Sequence, residues 1–195
     1  MSVRKALVVA AAFALAGGAA TAADIEAGKR KAALCEACHG PEGNAVIPVN
    51  PSIAGQPAQF ISNALFFFRE GNRKDPQMTP IASTLSNADM NDLAAYFSSL
   101  NMAPPKHKTS PENAAAGPGL AQKFMCTQCH GPALLGTQHI PRIAGQLPDY
   151  VRTQLKGFKA STRSDIDGNM TSAAQALSEK DIEVLADYLA GIGAH

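Results

Sequence analysis

The sequence predicts an all-α fold of two tandem domains related by internal duplication, and three observations predict it. Apolar residues recur at helical spacing, and no run of the 195 residues shows sustained strand alternation. The second half of the chain repeats the first. Cys126 follows Cys35 by 91 positions, and Gly119 follows Gly28 at the same offset. Pro51-x-Ile53-Ala54-Gly55-Gln56 returns 90 positions later as Pro141-x-Ile143-Ala144-Gly145-Gln146, and Met78, Leu85-Ser86 and Asp89 return at offset 92 as Met170, Leu177-Ser178 and Asp181. Such small changes of offset are what loop insertions produce. Third, a stretch holding Pro104, Pro105, Pro111, Gly117 and Pro118 separates the copies, a composition suited to a stiff surface connection. The boundaries drawn from these features are 1–22 for a leader, 23–100 for the first domain, 101–118 for a linker and 119–195 for the second domain.

The leader is expected to be a cleavable signal peptide. Arg4 and Lys5 precede the apolar run Ala6 to Ala16, and Ala20-Thr21-Ala22 supplies the small residues of a cleavage site. The run is shorter than the ~20 residues a membrane span needs, so no stable span is expected after cleavage. Export places the chain outside the cytoplasm, most simply in a bacterial periplasm. Loss of Arg4 and Lys5 leaves 15 basic against 16 acidic side chains, too even a balance for a nucleic-acid partner.

In each copy a helix is expected to lead into the Cys-x-x-Cys-His run, over Ile25 to Leu34 and Gly119 to Met125. A second helix follows Pro57, where Phe60, Ile61, Ala64, Leu65 and Phe68 form one stripe and Gly71 fits the stop. Tyr150, Val151, Leu155 and Phe158 form the matching stripe. Phe66, Phe67 and Phe68 are expected in the core. The last helix of each copy starts at Ser86 or Ser178, with Asp89 or Asp181 three residues on as in a capping box. Each domain is small, and a core of under ~80 residues usually needs a metal, disulfide or cofactor as a staple.

Cys35-Glu36-Ala37-Cys38-His39 and Cys126-Thr127-Gln128-Cys129-His130 have the pattern of covalent c-type haem attachment. Two thiols two residues apart can add across the two vinyl groups on one porphyrin edge, and the adjacent His then lies beneath the iron. A zinc site would pair two such runs at closer range. A thioredoxin-like pair needs a βαβ context, and simple disulfides leave the His unexplained. Two haem c groups are therefore expected, on Cys35 and Cys38 and on Cys126 and Cys129, with His39 and His130 as proximal iron ligands.

Of the methionines outside the leader, Met78 and Met170 alone are repeat-equivalent, each in a polar, turn-rich stretch. Met90 and Met125 fit the ordinary role of helix-borne core fillers, as does Met102 in the linker. Met78 and Met170 are expected as distal axial ligands. Thioether ligation raises the potential relative to two imidazoles, and an iron with both axial positions filled transfers electrons rather than binding oxygen or peroxide. No catalytic residue is expected.

Together these series resemble the class I cytochromes c, and their tandem arrangement resembles the di-haem cytochrome c4 family over nearly the whole chain beyond the leader. The resemblance implies two cytochrome c domains facing each other across a pseudo-twofold axis. It implies that the Pro51 and Pro141 carbonyls accept a hydrogen bond from the proximal His. It also implies a soluble respiratory-chain shuttle, taking electrons from a quinol-oxidising complex or periplasmic dehydrogenase and passing them to a terminal oxidase. A dedicated cytochrome subunit of one dehydrogenase complex is the alternative, and a di-haem peroxidase the weaker one. Arg69, Arg73, Arg142 and Arg163 are candidates to neutralise haem propionates, with surface solvation an equal reading. His107 is expected to be solvated in the linker, and His139, unique to copy two, to be a surface or propionate-side residue.

Overall fold

The computed structural model describes residues 22–193. The expected leader, save for Ala22, lies outside the described residues. The described residues form nine α-helices in order: α1 (Ile25–His39), α2 (Ala58–Arg69), α3 (Met78–Ser83), α4 (Asn87–Ser99), α5 (Pro111–Lys123), α6 (Cys126–His130), α7 (Pro148–Lys159), α8 (Asn169–Gln175) and α9 (Glu179–Ala190), with a 3-10 turn at Pro41–Gly43. Among the described residues the only β pairing is an isolated bridge between Thr137 and Ile140. None of the described helices is long and apolar enough to cross a membrane.

Each domain is a small helical cluster. In the first, α1 and α2 pack against α4 and bury Ala32, Ile61, Leu93, Ala94, Tyr96 and Phe97. In the second, α5 and α7 pack against α9 over Val151, Phe158, Ile182, Leu185 and Leu189. The expected capping boxes start α4 and α9. Ser86 Oγ accepts from Asp89 N at 3.1 Å while Ser86 N donates to Asp89 Oδ2 at 2.9 Å, and Ser178 and Asp181 repeat both bonds.

Three expectations change. The helix leading to the first haem motif does not stop at Leu34 but runs through it to His39, whereas in copy two the ladder breaks and Met125 turns left-handed (φ 58°) before α6. The cause lies in the helix crossings. A Cβ on Gly28 would come within 2.1 Å of Asp92 O and 2.8 Å of Tyr96 Cβ, and one on Gly117 within 2.1 Å of Tyr188 Cγ, whereas Gly119 meets nothing. The packing counterpart of Gly28 is therefore Gly117, not Gly119. Copy two thus has two more residues between the crossing and its haem motif than copy one, and the break at Met125 absorbs them.

Second, α5 already starts at Pro111, inside the stretch expected as linker, because Ser110 caps it by accepting from Asn113 N at 3.2 Å. His107 is half-buried, not solvated: its Nε2 lies 2.5 Å from Asp187 Oδ1, and Ser110 N and Asn113 Nδ2 donate to the same carboxylate. Third, Phe66 faces outward on α2 at 41% exposure under the Arg69 guanidinium, while Phe68 is buried. A helix of this radius cannot turn three consecutive side chains inward.

The two Pro-x-Ile-Ala-Gly-Gln segments meet where the domains face each other. Gln146 Oε1 accepts from Ser52 N at 2.8 Å and its Nε2 donates to Ser52 O at 2.9 Å. Gln56 treats Arg142 N and O identically, both at 2.9 Å. Since Arg142 is the repeat counterpart of Ser52 and Gln146 that of Gln56, the contact is a two-fold exchange.

Candidate haem sites

Helix α1 ends at His39, which is 7% exposed, and α6 ends at His130, 4% exposed. Glycines at the following positions, Gly40 and Gly131, have φ near +80° and turn the chain sharply away. The chain then returns to the ring of each His. His39 Nδ1 lies 2.8 Å from Pro51 O, and His130 Nδ1 lies 2.7 Å from Pro141 O. A carbonyl can only accept, so Nδ1 carries the proton and donates, which leaves Nε2 as the lone-pair nitrogen able to bind a metal. Burial pushes both imidazoles below their usual range, and the carbonyl bonds oppose this only partly. Both rings are thus held neutral, the form a metal needs.

No disulfide joins any of the four cysteines. Burial pushes Cys35 up to about 11 and raises Cys126, while Cys38 and Cys129 are exposed. Among the described residues no three of His, Cys, Asp and Glu cluster to hold a metal ion, so each His lacks the partners a zinc centre would need.

Met78 is the first residue of the short helix α3 and Met170 the second of α8, rather than lying in irregular loops. Each is fixed by a carboxylate that the repeat pattern had not singled out. Asp75 Oδ1 accepts from Met78 N at 2.9 Å and from Gln77 N at 2.9 Å. Asp165 accepts from Met170 N at 2.9 Å, Thr171 N at 3.2 Å and Thr171 Oγ1 at 3.1 Å. Both methionines are partly buried, and Met170 lies against the second core.

The arginines divide. Arg69 is satisfied by Glu70 and by Leu85 O, a surface arrangement. Arg142 is 3% exposed and bonded by its Nη atoms to the Ala144 and Ala54 carbonyls, with its Nε unpartnered. Arg163 bonds Gln154, and its buried Nε is also unpartnered. Arg73 donates to Tyr150 Oη at 3.2 Å and Gln154 Oε1 at 3.1 Å across the domain contact. Burial pushes the Arg142 and Arg163 guanidiniums down to about 10; Tyr150 and Asp165 partly oppose this at the half-buried Arg163, whereas nothing opposes it at the buried Arg142. A buried cation without an anion, as Arg142 is here, is costly, and so is a buried N–H left unpaired, as the Nε of each arginine is. Haem propionates are anions that would satisfy them, so the residues present fit the group. His139 lies near the surface, 3.5 Å from Asp167.

Paired Cys-x-x-Cys-His helices, neutral buried imidazoles and a methionine fixed at the same place in each copy define a protein of the di-haem c-type cytochrome class. Comparison with known proteins agrees. The Cytochrome c family matches residues 25–101, and the family described as "Cytochrome C oxidase, cbb3-type, subunit III" matches residues 112–189. Cytochrome c4 of Pseudomonas aeruginosa is 37% identical, the alignment covering 91% of this chain and 93% of that one. The crystal structure of reduced recombinant cytochrome c4 from Pseudomonas stutzeri superposes with a TM-score of 0.82 at 34% identity, over 88% of this chain and all of that one. The thiosulfate dehydrogenase electron acceptor of Thiomonas intermedia is 33% identical over 82% of this chain and 79% of that one.

The chain belongs to the cytochrome c4 family: it is a di-haem electron carrier with two covalently bound haem c groups.

Proposed function

We propose that this protein is a periplasmic electron shuttle whose haems are attached through Cys35 and Cys38 and through Cys126 and Cys129. Their irons are held by His39 with Met78 and by His130 with Met170. The haem irons supply the one-electron chemistry, and the chain supplies orientation, burial and ligand basicity. The observation that carries this reading is the matched pair of His–Pro carbonyl bonds, 2.8 Å in copy one and 2.7 Å in copy two. Each frees Nε2 for metal, and each domain has a carboxylate-anchored methionine. Donors would be a quinol-oxidising complex or a periplasmic dehydrogenase, and the acceptor a terminal oxidase.

Redox spectroscopy of the purified protein should show two low-spin haems with a methionine–iron charge-transfer band. Met78→Ala and Met170→Ala should each remove the contribution of one haem, and survival of the full band in either would sink that ligand assignment. The relative that is a thiosulfate dehydrogenase electron acceptor favours a second reading, a dedicated partner of one dehydrogenase. Rapid reduction by such an enzyme with thiosulfate, and none by quinol-oxidising membranes, would select it. Turnover of peroxide by the purified protein would instead indicate an enzyme.

A further inference from the structure

The exchange between the domains does more than join them, because it is made on the peptide units that carry the proximal histidines. The Pro51–Ser52 peptide offers two polar groups. Its carbonyl accepts from His39 Nδ1 at 2.8 Å, and its N–H donates to Gln146 Oε1 at 2.8 Å. The Pro141–Arg142 peptide does the same: its carbonyl accepts from His130 Nδ1 at 2.7 Å, and its N–H donates to Gln56 Oε1 at 2.9 Å. Ser52, Gln56, Arg142 and Gln146 are all buried, at 7%, 2%, 3% and 4% exposure, so little water competes for these bonds.

A peptide is one conjugated unit. An acceptor drawing on its N–H pushes electron density toward its oxygen, and hydrogen bonds chained through such a unit strengthen one another. A stronger carbonyl acceptor makes the proximal imidazole more basic, and a more basic ligand stabilises the oxidised iron.

We propose that Gln146 tunes the first haem and Gln56 the second, each glutamine acting as a positioning residue across the domain contact on the peptide behind the other domain's proximal histidine. The proposal rests on the ligand reading above. The wiring is crossed. Gln146 lies five residues after Pro141, in the domain of the second haem, yet its amide acts on the peptide behind His39. The electronic state of each proximal side therefore depends on the presence and placement of the other domain, a dependence that a single-domain cytochrome lacks.

The experiment uses the full di-haem protein. Gln146→Met and Gln56→Met remove the amide at similar volume. Each haem is titrated separately, its signals identified by the axial-methionine methyl resonances of the reduced protein, and the Nδ1 proton resonance of each proximal His is recorded. Gln146→Met should raise the potential of the first haem and weaken the His39 hydrogen bond. The change at a fixed potential should be severalfold, up to roughly tenfold, in the ratio of reduced to oxidised first haem, where tenfold corresponds to ~59 mV for one electron. Gln56→Met should do the same to the second haem and His130.

Should Gln146→Met fail to yield folded holoprotein, Gln146→Asn withdraws the amide by one methylene and admits water, and the same shift is expected. In the unmodified, fully reduced protein, a scalar coupling from Ser52 N to the Gln146 side-chain carbonyl carbon should report the bond directly. A variant that moves mainly its own domain's haem, or neither haem, would overturn the proposal, as would absence of that coupling. Loss of the methionine band in the unmodified protein would count against the ligand assignment instead.

Discussion

Asp75 and Asp165 bear on the proposed axial methionines without being candidate ligands themselves. Each carboxylate collects the backbone N–H groups at the start of a short helix and so fixes where the methionine begins. Charge-assisted caps of this kind contribute about 1–2 kcal/mol. Asp165→Ala should therefore lower thermal stability modestly and, more tellingly, increase the rate at which added imidazole displaces Met170. Asp75→Ala should do so at Met78. Stopped-flow ligand exchange checks both, and unchanged exchange rates would remove these aspartates from the site. The two Cys-x-x-Cys-His strings and the repeat equivalence of Met78 and Met170 were legible because each is a short local pattern that recurs along the chain. Asp165 was not. Asp167 precedes Met170 by the spacing at which Asp75 precedes Met78, so the alignment favours the wrong carboxylate, and only the folded turn brings Asp165 to Met170 N. Tyr150 was legible as an apolar stripe residue, but its hydroxyl partner Arg73 comes from the other domain.

At the scale of elements, the helix types and caps followed from local rules, whereas the breaks depended on packing. The stripes of α2, α4, α7 and α9 and both capping boxes were readable because periodicity and capping are local. The break before α6 was not, since it comes from a crossing constraint between α5 and α9 that no window of sequence contains. Gly28→Ala and Gly117→Ala should each cost several kcal/mol, since the added methyl would overlap the backbone of α4 or the ring of Tyr188. Gly119→Ala, in open space on the same helix as Gly117, should be neutral or stabilising by up to ~1 kcal/mol. Thermal melts of the three variants check this, and equal losses at Gly117 and Gly119 would restore the simpler alignment. The linker behaves similarly. Burial raises Asp187, but hydrogen bonds from Asn113, His107 and Ser110 win and hold its carboxyl at about 2. Its folded value lies below the ~3.9 of an unfolded Asp, so its contribution is complete above that pH and is lost as the pH falls toward 2. Asp187→Ala should cost about 2 kcal/mol at neutral pH, with the difference from the parent protein vanishing near pH 2 in melts across that range.

Across the whole molecule, the duplication gives two sites of one design, and the interface is where they become unequal. The four glutamine bonds obey the two-fold relation, but the residues they grip do not match: Ser52 in the first domain is Arg142 in the second. Ser52 Oγ merely accepts from Ala45 N at 3.1 Å, whereas Arg142 places a buried guanidinium between the domains and bonds Ala54 O of the first. A buried positive charge with no carboxylate disfavours the ferric state, which carries one more positive charge than the ferrous. At the effective dielectric of protein interiors the effect is on the order of 1 kcal/mol. Arg142 belongs to the peptide behind His130, so its field acts most on the second haem and partly on the first. Arg142→Ser gives both domains the same residue at this position. It should lower both potentials, the second more than the first. The variant keeps the Arg142 backbone N–H that Gln56 accepts from, so the glutamine exchange is preserved and the shift isolates the charge. Potentiometric titration at low and high salt checks it: a shift that persists at high salt identifies a buried charge, since ions screen only what solvent reaches. Equal shifts at the two haems, or none, would mean that the charge is neutralised by a propionate in the holoprotein. Any difference between the two haem potentials would then trace to the differing loops after each haem motif, where copy one has Gly43-Asn44 and copy two Pro132-Ala133-Leu134-Leu135.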